Sequence, residues 1–290
     1  MNSVELPGGG RLPALGLGTW RMGESARSRA HEVAAVREAI ALGYRLFDTA
    51  EMYGEGGAET VLGSAIAEAL RAGEVRREDL LVVSKVYPQN ASRKGTQAAC
   101  ERSRKRLGLD CIDLYLLHWR GQHPLRETCE AMLELVGAGR IRRWGVSNFD
   151  LGDMQELFSL QEALGVAASD GCAANQVYYS LGARGIEFDL LPWQRDKQLP
   201  IMAYSPIDQG ALAAKKALRE IGARHGASAA QIALAWVLSQ PGVIAIPKAV
   251  QAAHLRENLA AVQLELTEAD RAQIERLFPP PRRKTSLAML

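Results

Sequence analysis

The chain has 290 residues, of which 47% are hydrophobic and 23% charged, an ordinary globular composition that excludes disordered, collagen-like and disulfide-scaffold classes. A body of this size buries about three quarters of its unfolded surface. Its 35 Lys and Arg against 33 Asp and Glu leave a formal charge of +2, too balanced for nucleic acid or an anionic membrane surface to be the expected partner.

The opening residues, Met1–Arg11, lack the basic region and apolar core of a signal peptide, and no apolar run approaches the roughly 20 residues that span a bilayer. The expected location is the cytoplasm. The four cysteines, Cys100, Cys111, Cys129 and Cys172, form neither a C-x-x-C pair nor a cluster with zinc spacing, so reduced thiols and no metal site are expected.

In chain order, Leu6–Pro13 carries a glycine-rich turn and predicts a hairpin. A strand at Leu15–Gly18 follows, then a helical pattern at Ser28–Leu42, a strand at Leu46–Asp48 and a helix at Gly57–Arg71. Next come the strand Leu80–Val86, the helix Ser92–Leu107, the strand Ile112–His118 and the helix Leu125–Gly137. The strand Trp144–Ser147, the helix Leu151–Leu160, the strand Ala173–Val177 and the helix Leu190–Lys197 continue the alternation. It ends with the strand Ile201–Tyr204, helices at Leu212–His225 and Ala229–Ser239, the strand Val243–Pro247 and a helix at Ala252–Ala261. Gly43 and Gly108 stand where helix ends need a residue that tolerates left-handed backbone.

The apolar runs are too apolar on both faces for half-exposed antiparallel strands, which points to a parallel sheet. Strand ends recur about every thirty residues, the length of one βα unit, and the beat stretches once where an extra helix is inserted. Eight such units predict an α/β fold, a (β/α)8 TIM barrel whose floor is closed by the N-terminal β-hairpin. No strand is followed by the G-x-G-x-x-G turn of an open dinucleotide-binding sheet. Residues 1–290 are read as one domain, with an irregular tail from about 279 lying over the outside or the mouth.

A barrel of this kind builds its active site at the C-terminal ends of its strands. Asp48, Tyr53, Lys85 and His118 stand at or just beyond three neighbouring ones. Lys85 follows the apolar run Leu80–Val83, so its ammonium emerges beside the barrel axis, where desolvation demands a carboxylate. Asp48, from the adjacent strand, is the available partner. Of the five histidines only His118 sits at a strand end, which disfavours a metal-dependent hydrolase.

These residues lie in successive motifs: Gly43–Ala50 with Tyr53, Val83–Lys85, Leu107–Asp110 running into Asp113–His118, Gly145–Phe149, and Ile246–Lys248. In that order, from Leu12 to about Phe278, they resemble the signatures of the aldo-keto reductase family, and the short His118-Trp119-Arg120-Gly121 loop is most similar to bacterial aldehyde and methylglyoxal reductases. The resemblance implies reduction of aldehydes and reactive dicarbonyls by hydride transfer, with cofactor binding before substrate. Tyr53 would be the general acid. A free tyrosine near pKa 10 is a reluctant donor, so Lys85, held by Asp48, is expected to lower it while His118 orients the carbonyl.

The same resemblance implies NADPH as cofactor, with weaker use of NADH. Ser147, Asn148 and Gln176 would hold the nicotinamide carboxamide and Tyr204 would stack on its ring. Gly18, Thr19 and Trp20 would form a close turn beside it, with Asp48 adjoining. Ser205, Pro206, Ile207 and Gln209 continue the cofactor positions, and Glu257 and Asn258 match the adenine side. Lys248, Ala249 and His254 stand where the family usually grips the 2′-phosphate with Lys, Ser or Thr, and Arg. With histidine for arginine, the NADPH preference is expected to fade as pH rises. Trp20, Tyr53, His118 and Trp119 would wall the substrate pocket, and Trp193 either joins them or packs in the core. A small carbonyl compound is the expected partner, and a monomer the expected state. The alternative is a non-catalytic, cofactor-binding regulatory subunit like the potassium-channel β-subunits, which the short stretch ahead of the barrel disfavours.

Overall fold

The computed structural model describes residues 2–290, so Met1, the first residue of the expected domain, lies outside the described part. The hairpin forms as expected: β1 (Ser3–Glu5) pairs antiparallel with β2 (Arg11–Pro13), Val4 opposite Leu12. Eight parallel strands follow, each pairing with the next. They are β3 (Leu17–Gly18), β4 (Leu46–Asp48), β5 (Leu81–Val86), β6 (Ile112–Leu117), β7 (Ile141–Ser147), β8 (Asn175–Tyr178), β9 (Ile201–Tyr204) and β10 (Val243–Ile246). The ring closes where Gly16 N–H donates to Ala245 O at 2.9 Å and Gly18 N–H to Pro247 O at 3.0 Å. Gly18 is required at that seam, because a Cβ there would meet Ile246 O at 2.9 Å.

Two apolar layers follow from strands buried on both faces. Inside the barrel Leu46, Val83, Leu114, Leu116, Met202 and Ile244 pack together with Leu12 of the hairpin, so the hairpin plugs the floor. Outside, alternate strand residues such as Phe47, Tyr115 and Val177 meet the helical layer. That layer comprises α1 (Arg29–Leu42), α2 (Gly57–Arg71), α3 (Arg93–Leu107), α4 (Leu125–Gly137), α5 (Leu151–Ala163), α6 (Leu190–Asp196), α7 (Lys216–His225), α8 (Ala229–Leu238), α9 (Ala252–Ala260) and α10 (Glu268–Leu277). Gly43 and Gly108 end α1 and α3 in left-handed conformation, φ 102° and 66°. Cys100, Cys129 and Cys172 are free and buried in this layer, and burial pushes their thiols up to about 12. No described helix is long and apolar enough to cross a membrane.

Three local expectations change. The pattern over Leu212–His225 divides: a tight turn occupies Asp208–Ala214, with Gln209 and Gly210 at positive φ (53° and 95°), and α7 begins only at Lys216. The sixth barrel strand is Asn175–Tyr178 rather than Ala173–Val177. Helix α10 was not expected at all, because Asp270 and Ile274 are its only buried residues and its apolar stripe is too thin to read.

What holds α10 is polar. Thr267 and Asp270 form a capping box, and the Asp270 carboxylate also accepts from Arg224 at 2.5 Å and from His225 Nε2 at 2.7 Å on α7. Burial would push Asp270 up, but these hydrogen bonds outweigh it and hold its pKa well below the carboxylate range. A depressed pKa contributes stability above the free-aspartate value near ~4 that drains away as pH falls below it. Asp270→Asn is therefore expected to cost about 1–3 kcal/mol at neutral pH and to flatten the acid limb of stability. Urea melts at several pH values check this, and parallel acid limbs in both proteins would refute it.

Candidate active site

The C-terminal mouth of the barrel opens into a groove of about 1000 Å³, at the upper end of ligand-pocket sizes and large enough for a dinucleotide. At its inner end β4 and β5, paired Asp48 to Val83, bring Lys85 beside Asp48. Lys85 is fully buried, and its ammonium donates to Asp48 Oδ2 at 2.8 Å and Thr49 O at 2.9 Å, with the Tyr53 hydroxyl at 3.3 Å. Asp48 Oδ1 accepts from Gln176 Nε2 at 2.7 Å, which fixes the carboxylate from the far side of the barrel.

Tyr53 reaches this pair from a short helical turn, Tyr53–Gly56. The loop that carries it is pinned by Glu51, whose carboxylate accepts from Tyr87 N–H at 2.7 Å and Asn90 Nδ2 at 3.0 Å beyond β5. Sequence reasoning passed over Glu51, which carries no signal by itself until the loop folds back. His118 stands edge-on to Tyr53, with ring centroids 5.7 Å apart, and Trp119 lies 4.9 Å from His118.

Burial sets the charges here. Desolvation would depress Lys85, but the Asp48 charge and the bonds to Asp48 and Tyr53 prevail and hold the ammonium above its ordinary value. Burial and then the Lys85 charge push His118 well below the usual histidine range, so it is neutral near pH 7. Its Nδ1 is buried without a partner, and no acceptor holds a proton there. Tyr53 departs from expectation: burial raises its pKa, Lys85 opposes this, Asp48 adds to it, and the net direction is upward. Proximity of one ammonium is not enough to reverse the loss of water around the phenol.

The groove then runs outward past Ser147, Asn148, Gln176, Tyr204 and Ser205. Asn148, at φ 56°, accepts from the Tyr204 hydroxyl at 2.9 Å, and its own amide donates to His118 O at 3.1 Å. The Tyr204 ring is stacked on Tyr178 at 5.7 Å and 16°. Pro206, Ile207, Gln209, Lys248, His254, Glu257 and Asn258 line it as well. Gly18, Trp20, Asp48, Tyr53, His118 and Trp119 also border the groove.

Three expected residues stand back from it. Lys85 does not line the groove, and its ammonium lies against the Tyr53 ring, 4.8 Å from the centroid. Thr19 is fully buried and spends both its N–H and its hydroxyl on Asp48 O, at 2.9 and 3.0 Å. Ala249 is buried and does not line the groove. Trp193 packs edge-on against Phe158 at 5.0 Å in the helical layer, which settles its two readings for packing. Met289 and Leu290 line the groove, so the tail takes the mouth of its two expected places, whereas Arg21, Met52 and Arg219 line the groove without having been expected. Arg219 and Ala223 share a helix face at i, i+4, and that spacing is the one sequence signal that could have marked them.

Amides beside a half-packed aromatic ring, with the exposed Lys248 on the same groove, suit a nicotinamide dinucleotide, which carries both a carboxamide and phosphates. Among the described residues there is no cluster of His, Cys, Asp or Glu able to hold a metal ion.

Comparison with known proteins gives the same reading. The aldo/keto reductase family model matches residues 14–278. Methylglyoxal reductase YeaE of Escherichia coli is 48% identical over 99% of this chain and 98% of its own. Glyoxal reductase of Bacillus subtilis is 34% identical over 95% of this chain and 91% of its own. A crystal structure of an aldo-keto reductase from Klebsiella pneumoniae in complex with NADPH superposes with a TM-score of 0.91 at 46% identity, covering 100% of both chains. With its eight-stranded barrel and its match over nearly the whole sequence, the chain belongs to the aldo/keto reductase family.

Proposed function

We propose that this protein reduces aldehydes and reactive dicarbonyls such as methylglyoxal, with NADPH as reductant and Tyr53 as the general acid. The observation that carries the reading is the Lys85 ammonium, buried between the Asp48 carboxylate and the Tyr53 hydroxyl beside a neutral His118. The relatives named for methylglyoxal and glyoxal, and the neighbour solved with NADPH, support the substrate class and the cofactor.

When bound, the reduced nicotinamide supplies the hydride. Tyr53 delivers a proton to the carbonyl oxygen as negative charge develops there. Because burial keeps the phenol protonated, the proton stays in place until that charge forms, and Lys85 then stabilises the phenolate left behind. His118 has no bond to its Nε2 among the described residues, so a neutral imidazole can donate there and hold the carbonyl in place. Gln176, which donates one amide hydrogen to Asp48 Oδ1, keeps Oε1 to accept from a carboxamide. Trp20, Trp119 and Met52 give the substrate end apolar walls that exclude water. We place the protein in the cytoplasm, acting as a monomer.

Loss of reduced-nicotinamide absorbance with methylglyoxal, glyoxal and simple aldehydes tests the activity. Turnover of none would overturn it, and NADPH binding without turnover would favour the regulatory-subunit reading.

Selectivity for NADPH is assigned to Lys248 and His254 on the groove. Restoring a permanent forked cation with His254→Arg is expected to widen the NADPH-over-NADH affinity ratio by about tenfold, and Lys248→Ala to narrow it by a similar factor. Dissociation constants for both dinucleotides check this. A ratio unmoved by either change would take these residues out of 2′-phosphate recognition.

A further inference from the structure

Glu59 is a fully buried carboxylate that the proposed reaction does not use. It is the third residue of α2, the helix that starts directly after the Tyr53–Gly56 turn. A glutamate at this position commonly folds back on the start of its own helix. Here both oxygens go elsewhere: Oε1 accepts from Ser84 Oγ and Oε2 from Arg106 Nε, each at 2.5 Å. A carboxylate withdrawn from water is costly unless its oxygens are bonded, so the carboxylate and its two donors hold one another in place.

Each donor bears on one half of the contact between Lys85 and Tyr53. Side chains alternate along β5, so Ser84 faces α2 while the next residue, Lys85, faces the barrel interior. Arg106, in the last turn of α3, lies against the Tyr53–Gly56 turn: a Cβ on Gly56 would meet its Nε at 2.5 Å and its Cδ at 2.6 Å. That turn holds Gly54, Glu55 and Gly56 in succession at positive φ, 56°, 53° and 88°. For Glu55 this is a costly conformation, which persists only where the surroundings impose it. The ammonium has two short bonds on its own side, to Asp48 Oδ2 and Thr49 O, whereas the Tyr53 hydroxyl, at 3.3 Å from it, has no other partner among the described residues. The separation of the two groups therefore depends on how the turn is seated against β5.

We infer that Glu59 is a positioning residue for the reduction: by tying Ser84 of β5 to Arg106 behind the Tyr53–Gly56 turn, it sets the distance between the Lys85 ammonium and the Tyr53 hydroxyl. This rests on the proposal that Tyr53 is the proton donor. Stabilisation of a phenolate by an ammonium falls with their separation, so a looser turn makes Tyr53 a weaker acid. Glu59, Ser84 and Arg106 do not line the groove, so binding of dinucleotide and carbonyl should be spared.

The test compares the wild type with Glu59→Gln and Ser84→Ala. It reads kcat and KM for methylglyoxal, the NADPH dissociation constant, and the pH profile of alcohol oxidation by NADP+ with acetol and benzyl alcohol as probes. The charged and titratable groups facing Tyr53 are Lys85, Asp48 and His118, and neither substitution removes any of them. Each variant should lose about tenfold in kcat, because misplacing a reacting group by about 1 Å costs up to a hundredfold. KM and the NADPH constant should stay within about twofold, and the rise of oxidation with pH should move to higher pH. Ser84→Ala removes one hydroxyl and leaves the strand intact, so it gives the answer even if Glu59→Gln does not fold. A folded variant with an unshifted profile, whatever its melting temperature, would make Glu59 an anchor of the fold alone. A loss carried by KM or by the NADPH constant would place its effect on binding, and either result overturns the inference. A wild type that turns over none of these compounds would instead bring down the proposed function, and this inference with it.

Discussion

Tyr53→Phe is expected to lower kcat for carbonyl reduction by about a hundredfold or more while the NADPH dissociation constant stays within a few-fold. The hydroxyl is the only group removed, and in the proposed mechanism it acts on the carbonyl oxygen as charge develops, an interaction made in the transition state rather than with the dinucleotide. The fold should be indifferent to the change, because the ring keeps its place edge-on to His118 at 5.7 Å and Lys85 retains Asp48 and Thr49 O as partners. Steady-state kinetics with methylglyoxal and a fluorescence titration of NADPH give both numbers. A variant that keeps more than about a tenth of wild-type kcat would show that Tyr53 is not the proton donor.

Lys85→Met is expected to have an effect of the same size through a different cause, and pH separates the two. Burial raises Tyr53 and Lys85 is the main influence opposing it. Without the ammonium the phenol should rise further. In the proposed mechanism run as alcohol oxidation, the phenolate would be the base that takes the proton, so activity should rise with pH as Tyr53 ionises. The rise should move to higher pH in the variant and kcat at neutral pH should fall by about a hundredfold or more. Removing one member of a buried ion pair also leaves Asp48 short of a partner, at a cost of about 3–5 kcal/mol, softened here by the remaining bond from Gln176 Nε2. Thermal melts therefore accompany the kinetics, and only a folded variant with an unshifted pH profile would remove Lys85 from the tuning of Tyr53.

The barrel and the convergence of Asp48, Tyr53, Lys85 and His118 at its mouth could be read from the amino-acid sequence. Strands apolar on both faces and a thirty-residue beat have few physical solutions other than a closed parallel sheet. A lysine at the end of such a strand must meet a carboxylate because no water reaches it, so the Lys85–Asp48 pair follows from desolvation and strand adjacency alone. Helix ends at Gly43 and Gly108 were equally local, since left-handed backbone is a property of one residue.

What the sequence left open depends on partners far apart in the chain. Helix α10 is held by Asp270 reaching Arg224 and His225 on α7, and a helix fastened by polar contacts leaves little apolar period to detect. Thr19 and Ala249 lie beside residues that line the groove and yet do not line it themselves, because successive side chains of an extended chain alternate and only pairing with the neighbouring strands fixes which face meets the groove. The upward direction of the Tyr53 pKa comes from the burial that folding creates, a sum over every atom that displaces water from the phenol. Arg219 joins the groove from α7, a helix distant in the chain from Trp20, Tyr53 and His118 on the same groove. Proximity along the chain sets turns, caps and strand patterns, but desolvation and convergence of side chains arise only when distant segments are packed together.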